Sequence, residues 1–341
     1  MHNSEDMTLS PKSNSEARLS SLSRAKQSVA VAIPCYNEAV SVTAVVEAFQ
    51  KSLPRAEIYV YDNNSTDGTA ARAVQAGANV RTERQQGKGN VVRRIFADID
   101  TDIIVIADGD NTYDAASAPA LVDRLISDQL DMIVATRLES SDGAVFRSGH
   151  RFGNRALTTT VNRLFGSDMK DILSGYRVLS RRFVKSFPAL STGFETETEL
   201  TIHALALRIP LAEIETPYSE RANGSFSKLN TYRDGFRILR TILKLVREFR
   251  PVLFYGTLAF ILAAIAVLLA LPVFTTYLQT GLVPRLPTAI LSTGLMLLAF
   301  LSGTCGLILE SVSRGRWEQK RMAYLSYPSA ATTPKRDGGN G

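Results

Sequence analysis

Ile103-Ile104-Val105-Ile106-Ala107-Asp108-Gly109-Asp110-Asn111-Thr112-Tyr113-Asp114 is the stretch whose reading decides the fold. A short apolar, β-branched run predicts a buried strand. It stops abruptly at two carboxylates separated by a glycine. In an open α/β sheet, ligands gather at the carboxyl ends of the strands. A pair of acids there suits a hard divalent cation, which prefers oxygen ligands and shares them with substrate phosphates. Gly109 lets a ligand come close to the backbone. Asp-Gly-Asp is also a common turn, so the neighbouring segments must decide.

They repeat the pattern. Ser28–Pro34 predicts a strand, followed by Cys35-Tyr36-Asn37-Glu38 and a helix to about Gln50. Glu57–Tyr61 predicts a second strand, ending at Asp62-Asn63-Asn64-Ser65-Thr66-Asp67-Gly68-Thr69, with Thr66 or Asp67 placed to cap a helix to about Ala76. A short strand over Asn79–Thr82 precedes Gly87-Lys88-Gly89-Asn90, which opens a helix over Val91–Ile99. Beyond the central strand come a helix around Ala118–Ser127 and a strand over Asp131–Ala135. Strands alternating with helices predict an α/β fold with a mostly parallel sheet and helices on both faces. Each acidic or glycine-rich cluster falls where a strand ends. Asp62 directly ends an apolar strand, so its carboxylate is placed to accept hydrogen bonds from a base or a ribose hydroxyl. Gly87-Lys88-Gly89 matches neither the phosphate-binding loop nor the dinucleotide fingerprint. Flexible backbone at a helix start with one ammonium still suits phosphate; a solvated surface lysine is the other reading.

The chain has 341 residues, 45% hydrophobic and 21% charged, with formal net charge +6. That is enough for one large domain and something smaller. Cys35 and Cys305 lie far apart in the sequence, and with only three histidines no zinc site is expected. Residues 1–27 are Ser-rich and charged without an apolar core, so a disordered arm is expected. Residues 28–231 hold the strand–helix pattern. Val252–Phe274 and Thr288–Leu309 contain no charged residue, and each is long enough to cross a hydrocarbon core of about 30 Å as a helix. A transmembrane hairpin over 251–310 is therefore expected, with a basic tail at 311–341. Thr275–Pro287 carries one charge, Arg285, whereas Arg247, Arg250, Arg314, Arg316, Lys320 and Arg321 flank the hairpin. The positive-inside rule leads one to expect both termini, and with them residues 28–231, on the cytoplasmic side. Over 232–250, Phe236, Leu239, Ile242, Leu243, Val246 and Phe249 share one helical face, and Arg233, Arg237, Arg240, Lys244 and Arg247 another. Such a helix lies in an anionic lipid interface, packs on the domain, or does both. Gly294, Ser302, Gly303 and Gly306 suit close helix packing, including that of a homo-oligomer. No nucleic-acid partner is expected.

Together these residues resemble the family-two glycosyltransferases of the GT-A fold, and more closely the polyprenyl-phosphate, dolichol-phosphate-mannose-synthase-like branch. The resemblance runs from about Val29 to Ser227. Ile33-Pro34-Cys35-Tyr36-Asn37-Glu38 is similar to the family's opening strand and nucleotide loop. The turn from Asp62 to Thr69 is similar to its base-binding turn, with Asn63 where a second Asp is usual. Asp108-Gly109-Asp110 is similar to the Asp-X-Asp metal signature, here followed by Asn111-Thr112 where the branch often has Leu-Gln. Asp171-Ile172-Leu173-Ser174-Gly175-Tyr176-Arg177 resembles the acceptor-site segment, and Arg221-Ala222-Asn223-Gly224-Ser225-Phe226-Ser227-Lys228 the late basic loop.

The resemblance implies a UDP- or GDP-linked sugar donor contacted by Pro34, Tyr36, Asn37, Glu38, Asp62, Asn64, Lys88, Asp108 and Gly109. It implies Mg2+ or Mn2+ on Asp108 and Asp110, and a polyprenyl phosphate acceptor at the bilayer. Guanidinium pairs phosphate bidentately, so Arg137, Arg151 and Arg221, with Ser227 and Lys228, are the candidate acceptor-phosphate clamp. Asp171 and Arg137 are the candidate catalytic residues. A phosphate acceptor is mostly ionised at neutral pH, so Asp171 acts as a base, orients the nucleophile or holds an arginine; helix capping is the bland reading. Glu195, Glu197 and Glu199 are read as negative charge at a helix N-terminus, with Glu195 added as a site candidate by the resemblance. Two alternatives stand beside lipid-phosphate glycosylation. One is a glycan-extending synthase, for which the usual Gln-X-X-Arg-Trp motif is missing; the other is an inactive nucleotide-sugar-binding scaffold.

Overall fold

The structure, a computed structural model, describes residues 27–137, 148–190, 195–219 and 231–330. Among these the chain forms two compact units. The first holds the described residues up to 137, then 167–219 and 320–330. It is built on seven strands: β1 (Val29–Cys35), β2 (Glu57–Asp62), β3 (Asn79–Thr82), β4 (Ile103–Ile106), β5 (Met132–Arg137), β6 (Arg177–Ser180) and β7 (Leu211–Thr216). They lie in the order β3-β2-β1-β4-β6-β5-β7. All pairs are parallel except those of β6, which runs against β4 and β5.

Ile103, Ile104, Val105 and Ile106 are all buried. Successive strand side chains point to opposite faces, so both faces of the sheet are covered. Helices α1 (Val42–Ser52) and α4 (Ala118–Ser127) place Val45, Val46, Phe49, Leu121 and Leu125 against the face carrying Val31, Ile33, Ile103 and Val105. Helices α2 (Thr69–Gln75) and α3 (Lys88–Asp98) follow β2 and β3. Gly68, at φ 87°, takes the N-cap of α2 in place of the expected Thr66 or Asp67. Asp67 instead accepts from the Thr69 and Ala39 N–H groups and so ties two loops together.

The direction of β6 organises the site. Strand ends at Cys35, Asp62, Arg137 and Thr216 share one edge, through the pairings Cys35↔Asp62 and Arg137↔Thr216. Because β6 is antiparallel, it begins at that same edge, with Arg177 opposite Ile106 and Val134. The segment Asp171–Tyr176 is thereby delivered to the carboxyl ends of its neighbours. It is followed by α6 (Arg181–Ser186) and α7 (Thr196–Leu207).

The second unit holds 148–166 and 231–319. Its helices are α5 (Ser148–Phe165), α8 (Thr231–Phe249), α9 (Pro251–Thr280) and α10, which runs Leu286–Leu325 and ends in the first unit. Nothing in the local sequence sets the start of α5 at Ser148. Two early glycines, Gly149 and Gly153, weaken the local helical signal. Packing of its end on α8 decides: Phe165 and Phe249 stack edge-on at 5.1 Å, and Arg250 Nη2 donates to Leu164 O at 3.1 Å. Both α9 and α10 are long and apolar enough to cross a bilayer. Small residues let them approach one another. Ser302 Oγ donates to Tyr255 O at 3.0 Å, and a Cβ on Gly306 would stand 3.1 Å from Tyr255 Cβ. A Cβ on Gly294 would meet nothing within 4 Å beyond its own helix among the described residues.

Candidate active site

The loops after β1 and β2 are knitted to each other before any ligand is considered. Asn37, with left-handed backbone at φ 56°, receives the Thr66 N–H on its Oδ1 at 2.9 Å and donates its own N–H to Ser65 Oγ at 2.9 Å. Glu38 N–H donates to Thr69 Oγ1 at 2.9 Å. Burial works to raise the Asp67 pKa, but the bonds from Thr69 and Ala39 outweigh it and hold that carboxyl low. Asp62 is buried at the end of β2, and its Oδ2 accepts from Ser65 N at 3.2 Å. Its Oδ1 is buried without a hydrogen-bond partner among the described residues. Such an acceptor calls for a donor from beyond the described residues.

Asn63, where the resemblance leads one to expect Asp, has a structural reason to be an amide. Its Nδ2 donates to Glu83 O at 2.9 Å and Gln85 O at 2.8 Å, while its Oδ1 accepts from Gly87 N at 2.7 Å. A carboxylate cannot donate. Asn63→Asp is therefore expected to cost about 2–3 kcal/mol, read as a lowered melting temperature, together with weaker nucleotide binding as the loop before Lys88 loosens. An unchanged melting temperature would remove Asn63 from this role. Asn64, also left-handed at φ 64°, holds Arg84 O at 2.8 Å.

At the centre, Asp108-Gly109-Asp110 turns beneath the end of β1. Ser41 Oγ donates to Gly109 O at 2.6 Å. A side chain at Gly109 would collide with Cys35 Sγ, while Ile33 and Pro34 O stand at ordinary contact distance. Gly109→Ala should accordingly destabilise by about 1–3 kcal/mol, and wild-type stability in urea would show that the approach is not tight. Asp110 is buried, its Oδ1 accepting from Thr112 Oγ1 at 2.6 Å and Thr112 N at 3.3 Å. Burial, then the carboxylates of Glu38, Asp108, Asp62 and Asp110, push the Cys35 thiol well up, which marks this edge as strongly negative. Among the described residues no group of three or more His, Cys, Asp or Glu is arranged to hold a metal ion. A pair of carboxylates whose remaining partners come from substrate phosphates and water is the donor set that Mg2+ prefers, and Asp108 with Asp110 fits that description.

Lys88 is not a solvated lysine. Its ammonium lies 2.6 Å from Asp108 Oδ1 and 2.5 Å from Glu197 Oε1. Burial opposes its charge, but Asp108 and Glu197 overcome this and raise its pKa. Glu197 belongs to the first turn of α7 and is itself buried, so it does more than favour a helix N-terminus. Its Oε2 has no hydrogen-bond partner among the described residues. Glu195, by contrast, is the N-cap residue of α7 and makes no side-chain cap bond. Gly175 closes the group: a Cβ there would press on Asp108 Oδ2 and Lys88 Nζ, and its N–H donates to the Tyr113 hydroxyl at 2.9 Å.

Arg137 grips Asp171 in a fork, Nε to Oδ2 at 2.9 Å and Nη2 to Oδ1 at 3.3 Å. Burial disfavours the Arg137 charge, and Asp171 more than offsets it. Tyr218 supports the guanidinium from a ring centroid 5.6 Å away. Asp171 is fixed further by Leu173 N at 3.1 Å, and its own N–H donates to Glu213 at 2.9 Å. Of the three roles open to Asp171, holding an arginine is the one visible in this geometry. Arg221, Ser227 and Lys228 lie outside the described residues, as does the Arg151 side chain, whose backbone is in the first turn of α5.

The family model described as Glycosyl transferase family 2 matches residues 30–187. Glycosyltransferase AglJ of Haloferax volcanii is 31% identical over 250 residues, which are 73% of this chain and 81% of that protein. This chain belongs to glycosyl transferase family 2. The dodecaprenyl-phosphate galacturonate synthase of Rhizobium johnstonii is 24% identical over 304 residues, covering 84% of this chain and 88% of that enzyme. Among solved structures, the glucosyl-3-phosphoglycerate synthase of Mycobacterium tuberculosis, in complex with Mn2+, UDP and glucosyl-3-phosphoglycerate, superposes with a TM-score of 0.54 at 21% identity. It covers 72% of this chain and 85% of its own, and shows that the GT-A fold is shared.

Within this glycosyltransferase, Glu197 and the structural role of Arg177 are what sequence reasoning missed. Arg177 is fully buried and donates to Ser174 O, Ile172 O, Glu197 O and Thr201 Oγ1, each at 2.9 Å. Burial lowers its pKa to about 10, against the pull of Glu197 and Asp171. It stitches the Asp171 segment to α7, and thus to Glu197. The available signal was the pair Glu197 and Thr201, one helical turn apart on α7.

Proposed function

We propose that this family-2 glycosyltransferase is membrane-anchored and moves a hexosyl group from a nucleotide-sugar, UDP- or GDP-linked, to polyprenyl phosphate on the cytoplasmic face. The observation that carries the reading is the alignment with the dodecaprenyl-phosphate galacturonate synthase. At 84% of this chain, it is too long to fit within the residues ahead of the first apolar helix, so it reaches the membrane segment. Two apolar spans in the same chain as the catalytic domain suit an acceptor that resides in the bilayer.

The donor occupies the edge formed by β1, β2 and β4. Asp62 Oδ1 takes a hydrogen bond from the base or ribose, and the Tyr36–Glu38 loop flanks the nucleoside. Mg2+ or Mn2+ held by Asp110 with Asp108 would supply Lewis-acid stabilisation of the departing nucleoside diphosphate. Lys88, braced by Glu197, fixes the Asp108 carboxylate and adds positive potential beside the diphosphate. Arg137, oriented by Asp171, receives the lipid phosphate. A phosphate oxygen attacks carbon one of the sugar on the face opposite the leaving group; the carbon–oxygen bond to the nucleotide breaks and configuration inverts. The acceptor is already anionic, so Asp171 need take no proton.

The test is a panel: purified full-length protein in nanodiscs, several UDP- and GDP-sugars, polyprenyl phosphate, and added Mg2+, Mn2+ or chelator. Formation of a polyprenyl-phosphate sugar with one donor, lost in chelator, is the expected result. Transfer only to a lipid-linked oligosaccharide would replace the acceptor, and binding of donors without any turnover would leave a scaffold.

A further inference from the structure

Tyr113 follows Asp110 by three residues, and no step so far uses its hydroxyl. Its backbone is held from both sides. Thr112 bonds to Asp110 Oδ1 through N and Oγ1. Thr112 O accepts from Ser219 N at 2.9 Å, and Tyr113 itself pairs with Tyr218 in an antiparallel bridge. The ring packs on Tyr218, 5.6 Å between centroids, and on Tyr176, 5.4 Å. Tyr176 is fully buried and meets Phe49 of α1 edge-on. Packing therefore aims the phenol, whose oxygen accepts the Gly175 N–H at 2.9 Å. Gly175 lies against Asp108 Oδ2 and Lys88 Nζ, and Arg137 lies over the Tyr218 ring at 5.6 Å. Burial, then Asp108, push the Tyr113 pKa well up against Lys88 and Arg137, so the group stays a neutral phenol. A phenol has one proton to donate. The bond its hydroxyl makes among the described residues is one it accepts, which leaves that proton unused.

Along this edge the strands run β2, β1, β4, β6, β5. Asp62 ends β2 and Arg137 ends β5, whereas Tyr113 and Gly175 meet where β4 lies beside β6. A nucleotide-sugar laid across the edge from Asp62 brings its sugar-bearing phosphate to that place, past the nucleoside and short of Arg137. We propose that the Tyr113 hydroxyl donates a hydrogen bond to the phosphate that is bonded to the sugar. The inference rests on the donor placement given above. A hydroxyl fixed before the substrate arrives costs no reorganisation, and an anionic oxygen makes its bond a strong one. No proton is transferred. As the carbon–oxygen bond breaks, its electron pair stays on the diphosphate, the Tyr113 proton stays on the phenol, and the hydrogen bond strengthens as charge builds.

The test is Tyr113→Phe in the full-length protein in nanodiscs, a change that keeps the ring on Tyr176 and Tyr218 and removes one oxygen. Calorimetry with Mg2+ compares UDP with UMP and GDP with GMP, and the pair that the parent binds is the one read. The variant should bind the nucleoside diphosphate about tenfold more weakly and the monophosphate within about twofold of the parent. Turnover at saturating nucleotide-sugar should fall about 10²-fold. Equal losses on diphosphate and monophosphate would overturn the proposal, because a loosened loop treats the two alike. Unchanged affinity for both would overturn it as well. A raised KM for polyprenyl phosphate with unaltered diphosphate affinity would do the same by moving the hydroxyl to the acceptor. Parent protein that binds the diphosphate yet never glycosylates polyprenyl phosphate would sink the acceptor reading alone, since the calorimetry contains no acceptor.

Discussion

Asp110→Asn is expected to lower turnover by about 10³-fold, or ~4 kcal/mol of transition-state stabilisation, while leaving the fold intact. The substitution conserves volume and keeps an oxygen to accept from Thr112 Oγ1 and Thr112 N. It removes one negative charge from an edge where Glu38, Asp62, Asp108 and Asp110 all raise the Cys35 thiol pKa. Relief of that repulsion should keep the melting temperature unchanged or raise it slightly. The check is single-turnover kinetics at saturating donor beside a thermal melt. Turnover within about threefold of wild type would show that Asp110 does not bear the charge developing on the leaving group. A fall in both turnover and melting temperature would move Asp110 from chemistry to structure.

Next in size is the loss expected when the Arg137–Asp171 fork is broken. Arg137→Lys keeps the charge but removes the planar pair of donors, so acceptor kcat/KM should fall about 10²-fold, or ~3 kcal/mol. Asp171→Asn keeps an oxygen for Leu173 N yet releases the guanidinium from its ionic partner. It should lower acceptor kcat/KM by a comparable factor without changing the shape of the pH–rate profile, because no proton is taken by Asp171. Nucleotide affinity by calorimetry should stay within about threefold in both variants, under ~1 kcal/mol. If Asp171→Asn abolished an ionisation on the acid limb, Asp171 would be a base after all. Equal losses of donor and acceptor binding would place the fork on the donor side.

Local sequence carried a good deal of this. The run Ile103–Ala107 ending in Asp108-Gly109-Asp110 marked the central strand and its edge, because β-branched burial and an abrupt polar stop are short-range signals. The periodic segments around it likewise announced an α/β sheet, and two uncharged spans announced two helices long and apolar enough to cross a membrane. Helix α5 was not read from the sequence, since Gly149 and Gly153 interrupt its early periodicity and its end is held by packing on α8. Lys88 shows the limit most clearly. Its sequence neighbourhood is that of a surface turn, and only the antiparallel insertion of β6, with α7 behind it, brings Glu197 against its ammonium from 109 residues away. The same holds for Arg137 and Asp171, joined across 34 residues, and for Tyr324 and Asp131, joined across 193. Which residues can face a strand end is written in the pattern of apolar and polar positions; which charges meet there depends on strand order and direction, which long-range packing decides.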